Sequence, residues 1–215
     1  MRVIGTVGLP GSGKGEAAAV ARETGVPVVT MGDVIRQACR DRGLDPAEHH
    51  GEVARALREE NGPAAIAERS LPTIEAELDE SDTVLVDGLR SDVELDRFRD
   101  AFGDAFYLVS VEAPFEVRAD RLLDRARDDS DLDREALRER EERELGFGMG
   151  DVMDRADLVI ENTDTLDAYR ERIRAILAGD LDTIADSDYV HLRGIDTDAD
   201  AVEGGSTTPD GGDAR

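Results

Sequence analysis

The sequence predicts an α/β fold in which five parallel strands form a sheet with helices on both faces. Short apolar segments alternate with helical patterns along the first 180 residues, and this alternation is typical of strands joined by helical crossovers. The segments are nearly continuous apolar runs, which indicates strands buried on both faces. The predicted strands are residues 2–7, 27–30, 83–86, 105–111 and 157–160.

The predicted helices lie between and after these strands. The first, over residues 13–23, is rich in alanine and is followed by Gly25, as is common just past a helix C-terminus. Residues 32 to about 80 are predicted to be helical, with breaks at Gly43–Pro46, Asn61–Pro63 and Leu71–Pro72. The later helices are predicted near residues 91–101, 114–127 and 165–178.

The chain is predicted to divide at about residue 180. A chain of 215 residues suggests one domain, with or without a tail, and residues 1–180 are predicted to form it. Beyond about residue 181 the sequence is poor in hydrophobic residues and rich in Gly, Asp and Thr. Residues 181–215 are therefore predicted to be a largely disordered acidic tail, at least beyond about residue 194.

Composition excludes several classes of partner. The chain has 51 acidic and 26 basic residues, for a formal charge of −25, and such a charge repels nucleic acid and anionic membranes. No apolar stretch approaches the ~20 residues of a membrane span. With a single cysteine and no signal peptide before the first strand, the chain is expected to be cytoplasmic.

The basic residues are almost all arginine, because Lys14 is the only lysine. An acidic surface nearly free of lysine resembles those of proteins from extreme halophiles, in which molar salt screens dense like charge. Most carboxylates are therefore interpreted as a solvated, salt-adapted surface. The retained lysine lies in a glycine-rich loop, where a compact ammonium suits phosphate oxygens.

That loop, GLPGSGKGE, follows the first predicted strand and leads into the first helix. Its glycines and lysine have the spacing G-x-x-x-x-G-K of a phosphate-binding loop. In such loops the backbone N–H groups and the helix N-terminus point at phosphate oxygens, and the lysine adds charge. The residues expected to bind a nucleotide here are Gly8, Leu9, Pro10, Gly11, Ser12, Gly13, Lys14, Gly15 and Glu16.

The loop resembles that of the adenylate kinases, in which glycine follows the lysine, as Gly15 does here. Glu16 is a departure, because adenylate kinases have threonine at that position. VVTMGDVIR, residues 28–36, is similar to the segment ending in T-G-D-M-L-R that holds the acceptor nucleotide, with Met31 in place of a threonine. LVDGLR, residues 85–90, resembles D-G-F-P-R without its proline.

This resemblance implies a phosphate-loop nucleotide-binding fold with ATP as phosphoryl donor, Mg²⁺ as cofactor and a small nucleotide as acceptor. It implies that Lys14 is catalytic between the donor phosphates and that Asp87 orders Mg²⁺ through water. RLLDRARDD, residues 121–129, resembles the entry to the mobile lid of those kinases, which implies a lid over about 125–148 with a catalytic Arg125. The residues implied to bind the acceptor are Gly32, Asp33, Arg36, Gly88 and Arg90.

Two segments are more similar to dephospho-coenzyme A kinase. ETGVPVVTMGDVIR matches its second strand and following helix, and ADLVIENTDTLDAY, residues 156–169, matches its last strand and helix. That resemblance implies that Asp33 is a base or orienter for the attacking hydroxyl and that Asn162 lies near the donor base. Through about residue 180, the chain most resembles an archaeal family of nucleotide-kinase-like proteins.

Several residues also have a purely structural interpretation. Asp33 is suited to cap the helix that begins with DVIRQACR, and Arg36, one turn later, is suited to pair with it. Arg118, Arg121 and Arg125 share one helical face, where they either reach the transferring phosphoryl group or form surface salt bridges.

Other residues are assigned no chemistry. GFGMG, residues 146–150, is either the far hinge of the lid or an ordinary loop. Cys39 is interpreted as a small apolar helix residue. His49 and His50 are assigned no role, because no metal-ligand spacing lies near them.

The sequence therefore predicts ATP-dependent phosphoryl transfer to a small nucleotide-like acceptor, held by a helical insertion over about residues 32–80. Dephospho-coenzyme A is the alternative acceptor. A nucleotide-dependent switch or regulatory ATPase with only slow hydrolysis is the alternative from another class of protein. Acceptor-dependent release of ADP would separate a kinase from a switch.

Overall fold

In the part of the chain that the structure describes, residues 1–125, 133–146, 148–185 and 187–193, six strands form one sheet. The structure is a computed structural model. The strands are β1 (Arg2–Val7), β2 (Val28–Thr30), β3 (Thr83–Asp87), β4 (Phe106–Glu112), β5 (Leu158–Glu161) and β6 (Val190–Leu192). Their order is β2-β3-β1-β4-β5-β6. As predicted, β1 to β5 are parallel, whereas β6 is antiparallel to β5.

Helices connect the strands. They are α1 (Lys14–Glu23), α2 (Met31–Asp41), α3 (Pro46–Asn61), α4 (Ala65–Leu78), α5 (Asp92–Phe102), α6 (Phe115–Arg125), α7 (Arg134–Gly146), α8 (Met149–Asp154), α9 (Leu166–Ala178) and α10 (Asp182–Ala185), with a 3-10 turn at Gly103–Ala105. The side chains of Asp45, Ser91 and Thr165 cap α3, α5 and α9. None of the helices described is long and apolar enough to cross a membrane.

The helices cover both faces of the sheet. Alternate residues of a strand point to opposite faces, so Val3 and Val7 of β1 pack in one core while Ile4 packs in the other. The first core contains residues of α2 to α5 and α8, and the second contains residues of α1, α9 and α10. This arrangement confirms the predicted α/β architecture.

The structure differs from the predicted tail over residues 181–193. Ile184 of α10 is buried in the same core as α9, and β6 pairs Val190 with Ile160 of β5. The predicted strand count was therefore one too low. These elements were missed because isolated apolar residues among acidic ones produce no periodicity, and tertiary pairing with β5 stabilises them instead. Residues 194–215 lie outside the described residues.

α4 continues through Pro72, so the break predicted at Leu71–Pro72 is wrong. Proline inside a helix removes a hydrogen bond and costs about 3 kcal/mol. Ile66, Leu71 and Ile74 of the same helix are buried in the core, and burying each such side chain is worth roughly 1.5–3 kcal/mol. Packing therefore outweighs the local cost of the proline.

We expect the fold to lose stability in dilute buffer. The formal charge of −25 destabilises the compact state through self-repulsion, which molar salt screens. The melting temperature, measured by circular dichroism, should therefore rise between about 0.05 M and about 2 M KCl, because the Debye length shortens over that range. An unchanged melting temperature would contradict the salt-adapted interpretation of the acidic surface.

Candidate active site

The loop between β1 and α1 has backbone conformations that favour glycine. Gly8 and Gly13 have φ angles of +148° and +124°, which side-chain-bearing residues rarely adopt. A Cβ atom on Gly8 would lie 2.3 Å from the carbonyl oxygen of Val111, and one on Gly13 would lie 2.3 Å from Asn162 Nδ2. The glycines thus allow the loop to lie directly against the ends of β4 and β5.

Side chains behind the loop hold its carbonyl groups. Asn162 Nδ2 donates to the carbonyl of residue 12 at 2.7 Å, Tyr169 Oη to that of residue 13 at 3.1 Å, and Arg118 to that of residue 10 at 3.2 Å. In a trans peptide the next N–H points the opposite way from the carbonyl. The N–H groups of residues 11, 13 and 14 therefore point away from these partners, in the manner of an anion-binding nest.

Lys14 lies at the mouth of this nest. Its ammonium donates to the carbonyl groups of Gly8 and Leu9, the latter at 3.3 Å. Burial lowers the pKa of Lys14, and the nearby carboxylates of Asp87 and Glu144 act in the opposite direction. The ammonium is thus held among backbone carbonyl groups and acidic side chains.

The loop fits the phosphates of a nucleotide. The Ser12 hydroxyl is buried and finds no hydrogen-bond partner among the residues described, and the N–H groups of the nest are oriented to bind oxygen atoms. Phosphate oxygens would satisfy these donors. Glu16 faces the other side of α1, where it pairs with Arg170 of α9 at 3.4 Å.

A cavity of about 280 Å³ opens beside Lys14, at the carboxyl ends of β2 and β3. Ligands bind at this edge in open α/β sheets. Apolar side chains of Met31, Ile35 and Ile66 form part of its wall. The structure brings together in this cavity six residues that the sequence predicts from three separate segments, namely Lys14, Gly32, Arg36, Asp87, Gly88 and Arg90.

Asp87 ends β3 at the floor of the cavity. Its Oδ1 accepts a hydrogen bond from Thr6 Oγ1 of the adjacent strand β1 at 2.8 Å. No group of three or more acidic, histidine or cysteine side chains suited to hold a metal occurs among the described residues. Mg²⁺ in phosphate-binding sites usually keeps several waters and takes only one or two carboxylates besides the substrate phosphates. The Asp87 carboxylate therefore fits such an ion.

Two cavity residues that no sequence motif predicts form an ion pair whose carboxylate is buried. Arg58 of α3 pairs with Glu94 of α5 at 3.2 Å, and the Glu94 side chain is only 2% exposed. The second carboxylate oxygen of Glu94 accepts the backbone N–H of Arg90 at 3.0 Å. A signal was present, since Ser91 and Glu94 have the S-x-x-E spacing of a capping box, but that motif predicts only a helix start.

His50 also lines the cavity, although no sequence motif predicts a role for it. It lies on α3, whose residues Val53, Ala54 and Leu57 are buried. Positions three, four and seven residues after His50 share its face of the helix. This spacing was the available signal that His50 faces inward, whereas His49 faces outward and pairs with Glu52 at 3.1 Å.

Asp33 does not line this cavity. α2 begins at Met31 with Thr30 at its N-cap, so the interpretation of Asp33 as the N-cap is wrong, because the helix begins before it. The Asp33 carboxylate is 63% exposed and accepts hydrogen bonds from Arg36 at 2.6 and 2.9 Å. It faces a separate groove of about 520 Å³ against β2. The structure thus places Asp33 where it orients Arg36, away from Lys14.

Arg118 and Arg121 share one face of α6, as predicted, and that face contacts the outside of the loop. Arg121 donates to the carbonyl of Asn162 at 2.9 Å. Arg118, with a side chain 6% exposed, pairs with Glu141 of α7 at 2.7 Å. Both side chains therefore support the phosphate-binding loop from behind.

The predicted lid is only partly described. α7 packs beside α6, where Arg134 and Arg138 both pair with Glu116. Arg125 is exposed at the end of α6, directly before residues 126–132, which lie outside the described residues, as does residue 147 of the predicted hinge. Cys39 is buried in the core, as interpreted.

Comparisons with known proteins agree with this geometry. A family model described as an AAA domain matches residues 7–138. A UPF0200 protein of Halobacterium salinarum is 63% identical over 180 residues, which cover 84% of this chain and 94% of that protein. The chain belongs to the UPF0200 family. The similarity to an archaeal relative confirms the resemblance seen in the motifs.

Solved structures show that this UPF0200 chain has the fold of phosphate-loop kinases. A dephospho-CoA kinase from Campylobacter jejuni matches with a TM-score of 0.52 and 15% identity, over 84% of this chain and 100% of that chain. A shikimate kinase from Bacteroides thetaiotaomicron matches with a TM-score of 0.51 and 15% identity, over 86% of this chain and 98% of that chain. At this identity the likeness shows the fold alone.

Proposed function

We propose that this protein transfers a phosphoryl group from ATP to a small nucleotide-like acceptor. The observation that supports the proposal is one cavity with Lys14 and Asp87 on its donor side and Arg36 and Arg90 on its acceptor side. Phosphoryl transfer depends mainly on positioning and on electrostatic stabilisation of the transferred group. A donor held by the loop and an acceptor held beside α2 would meet at Lys14.

Each part of the site has a role in this proposal. The loop of residues 8–16 would bind the donor phosphates through the N–H groups of residues 11, 13 and 14, and Lys14 would exchange its carbonyl partners for phosphate oxygens. Mg²⁺, when bound, neutralises phosphate charge, and Asp87 would hold its water ligands. Asn162 would keep the loop in shape, while its position near the donor base and a catalytic role of Arg125 stay predictions.

Asp33 has a positioning role in this proposal. Because its carboxylate binds Arg36 and faces away from the cavity, it would act on the acceptor through that arginine. Gly32 and Gly88 would let the acceptor approach the backbone at the ends of β2 and β3.

Dephospho-coenzyme A is a second candidate acceptor. The matching segments over residues 156–169 support it, and the fold is compatible with it. The cavity of about 280 Å³ is slightly smaller than typical small-molecule sites, which span roughly 300–1,000 Å³. It would therefore enclose only the ribose end of so large an acceptor, whereas a nucleoside monophosphate would fill it.

Acceptor-dependent release of ADP tests the proposal. The protein is incubated with ATP and Mg²⁺ at molar KCl, with individual nucleoside monophosphates, with dephospho-coenzyme A, or without acceptor. We expect one of these acceptors to accelerate ADP release well above the rate without acceptor. Slow hydrolysis that none of them accelerates would contradict the proposal and support a nucleotide-dependent switch.

We also propose that the protein acts in the cytoplasm at high salt and without nucleic acid. The formal charge of −25 and the near absence of lysine support this setting. Binding of duplex DNA is best tested at low salt, because a protein that neutralises DNA phosphates binds more tightly as the salt concentration falls. We expect no binding of duplex DNA even at low salt.

A further inference from the structure

One face of α7 is directed towards the interior of the protein. It contains Leu137, Glu141 and Glu144, which follow one another at intervals of four and three residues and therefore share a side of the helix. Leu137 is buried, and the side chains of Glu141 and Glu144 are 21% and 13% exposed. The other glutamates of α7 are exposed. These two carboxylates are thus set apart from the solvated acidic surface.

The inward face of α7 contacts the support of the phosphate-binding loop. The Glu141 carboxylate lies 2.7 Å from Arg118 Nη2, and Nη1 of the same arginine donates to the carbonyl of Pro10 at 3.2 Å. Glu144 follows Glu141 by about one helical turn, and its carboxylate is near enough to act on the charge of Lys14, as Asp87 does from β3. Two carboxylates from different elements therefore lie near the ammonium that would receive the donor phosphates.

The charge of Glu144 is only partly neutralised. Its ion pair is with Arg140 at 3.2 Å, and the side chain of Arg140 is 51% exposed, so water weakens that pair. Salt screens a largely buried carboxylate less than an exposed one. Phosphate oxygens that replace the carbonyl partners of Lys14 are therefore repelled by Glu144. Arg90 and Arg118 also act on Lys14, so this repulsion is the contribution of one residue and not the net charge of the site.

We infer that Glu144 is a specificity-determining residue, which makes the donor site bind a nucleotide complexed with Mg²⁺ in preference to the free nucleotide. Coulomb repulsion is proportional to the charge of the ligand, and the negative charge of ATP falls by roughly half when Mg²⁺ is bound. A carboxylate beside the phosphates therefore disfavours the metal-free nucleotide about twice as strongly in free energy. This inference rests on the proposed function, because it concerns the phosphoryl donor of the same reaction.

Such a preference would keep an unproductive ligand out of the donor site. Phosphoryl transfer depends on neutralisation of the phosphate charge by the metal ion, so a metal-free nucleotide in the loop would occupy the site without reacting. Asp87 alone would give part of this discrimination. Glu144 adds to it from α7, which no motif of the loop includes.

Equilibrium binding of a non-hydrolysable ATP analogue tests the inference without turnover. Calorimetry measures its Kd with Mg²⁺ and with EDTA, at one KCl concentration, for the parent and Glu144→Gln proteins. We expect the substitution to lower the Kd of the metal-free analogue about 10-fold and that of the Mg²⁺ complex about 3-fold, because the two free-energy changes differ by a factor of about two. The preference for the Mg²⁺ complex should therefore fall about 3-fold.

Glu142→Gln is the matched control. Glu142 is exposed on the same helix, and glutamate and glutamine have similar helix propensities, so the control makes the same change of charge away from the inward face. It should leave both dissociation constants unchanged. Glu144→Asp keeps the charge at the inward face and should retain most of the preference of the parent for the Mg²⁺ complex.

Two results would overturn the inference. Equal preferences in the Glu144→Gln and Glu142→Gln proteins would mean that Glu144 does not act on the bound phosphates. Weaker binding of the Mg²⁺ complex by the Glu144→Gln protein, with the metal-free analogue unaffected, would mean that this carboxylate helps to hold the metal ion and does not repel the phosphates.

The two proposals fail in different ways. If the analogue binds with the expected pattern but no acceptor accelerates ADP release, the proposed function fails and the role of Glu144 stands. If an acceptor is phosphorylated and the Glu144→Gln and Glu142→Gln proteins bind the analogue identically, the role of Glu144 fails and the proposed function stands.

Discussion

Replacing Lys14 with arginine is expected to abolish most phosphoryl transfer while the fold stays intact. The ammonium fits between the carbonyl groups of Gly8 and Leu9, in a loop packed too closely for a Cβ at Gly8. A guanidinium keeps the charge but is a wide planar fork, so it would not reach the donor phosphates in the same geometry. Losing one such preorganised donor typically costs ~10²–10³-fold in kcat, and we expect a loss in that range.

The matched control for this variant is Arg22→Lys. Arg22 is exposed near the C-terminus of α1, the helix that begins with Lys14. Arg22→Lys therefore exchanges the same two residue types in the opposite direction, at a surface position. It should leave both the melting temperature and kcat unchanged. Near-normal turnover of the Lys14→Arg protein, with the control also normal, would mean that Lys14 does not contact the donor phosphates.

Gly13→Ala is expected to destabilise the fold and to prevent nucleotide binding. Gly13 has a φ of +124°, and strain of this kind costs ~1–3 kcal/mol. The new Cβ would also lie 2.3 Å from Asn162 Nδ2, which holds the carbonyl of residue 12. Together these effects should lower the free energy of unfolding by ~2 kcal/mol or more, as measured by urea denaturation.

Gly15→Ala is the control, because it is expected to raise the free energy of unfolding where Gly13→Ala lowers it. Gly15 lies in the first turn of α1, has an ordinary helical backbone, and has open space where a Cβ would be. Alanine is favoured over glycine inside a helix by roughly 0.5–1 kcal/mol, so this variant should be slightly more stable than the parent. If both variants lost the same stability, the strained loop at Gly13 would not be the cause.

The parallel sheet could be predicted because its signal is local. β1, β3 and β4 are buried on both faces, which requires nearly continuous apolar runs, and such runs are visible in any window of the sequence. α10 and β6 have no such signal. Ile184 and Val190 are buried only because α9 and β5 lie beside them, and that contact exists only in the folded chain.

In the candidate site too, some residues could be predicted from local sequence and others depend on tertiary packing. The chemistry of phosphate binding demands contiguous residues, so the loop around Lys14 and the turn from Asp87 to Arg90 could be recognised as motifs. His50 and Glu94 reach the cavity through the packing of α3 and α5, far from either motif in sequence. The predicted position of Asp33 depended on where α2 begins. Because α2 begins at Met31, two residues before Asp33, the Asp33 carboxylate faces the separate groove and not the cavity.

Transfer of labelled phosphate tests the central claim most directly. The protein is supplied with ATP labelled on its γ-phosphate, Mg²⁺ and a nucleoside monophosphate at molar KCl, and the products are separated. We predict that the label appears in the acceptor, as a nucleoside diphosphate, and that the Lys14→Arg protein transfers little. Label found solely in inorganic phosphate, at a rate that no acceptor changes, would contradict the assignment of this cavity as the site of a small-molecule kinase.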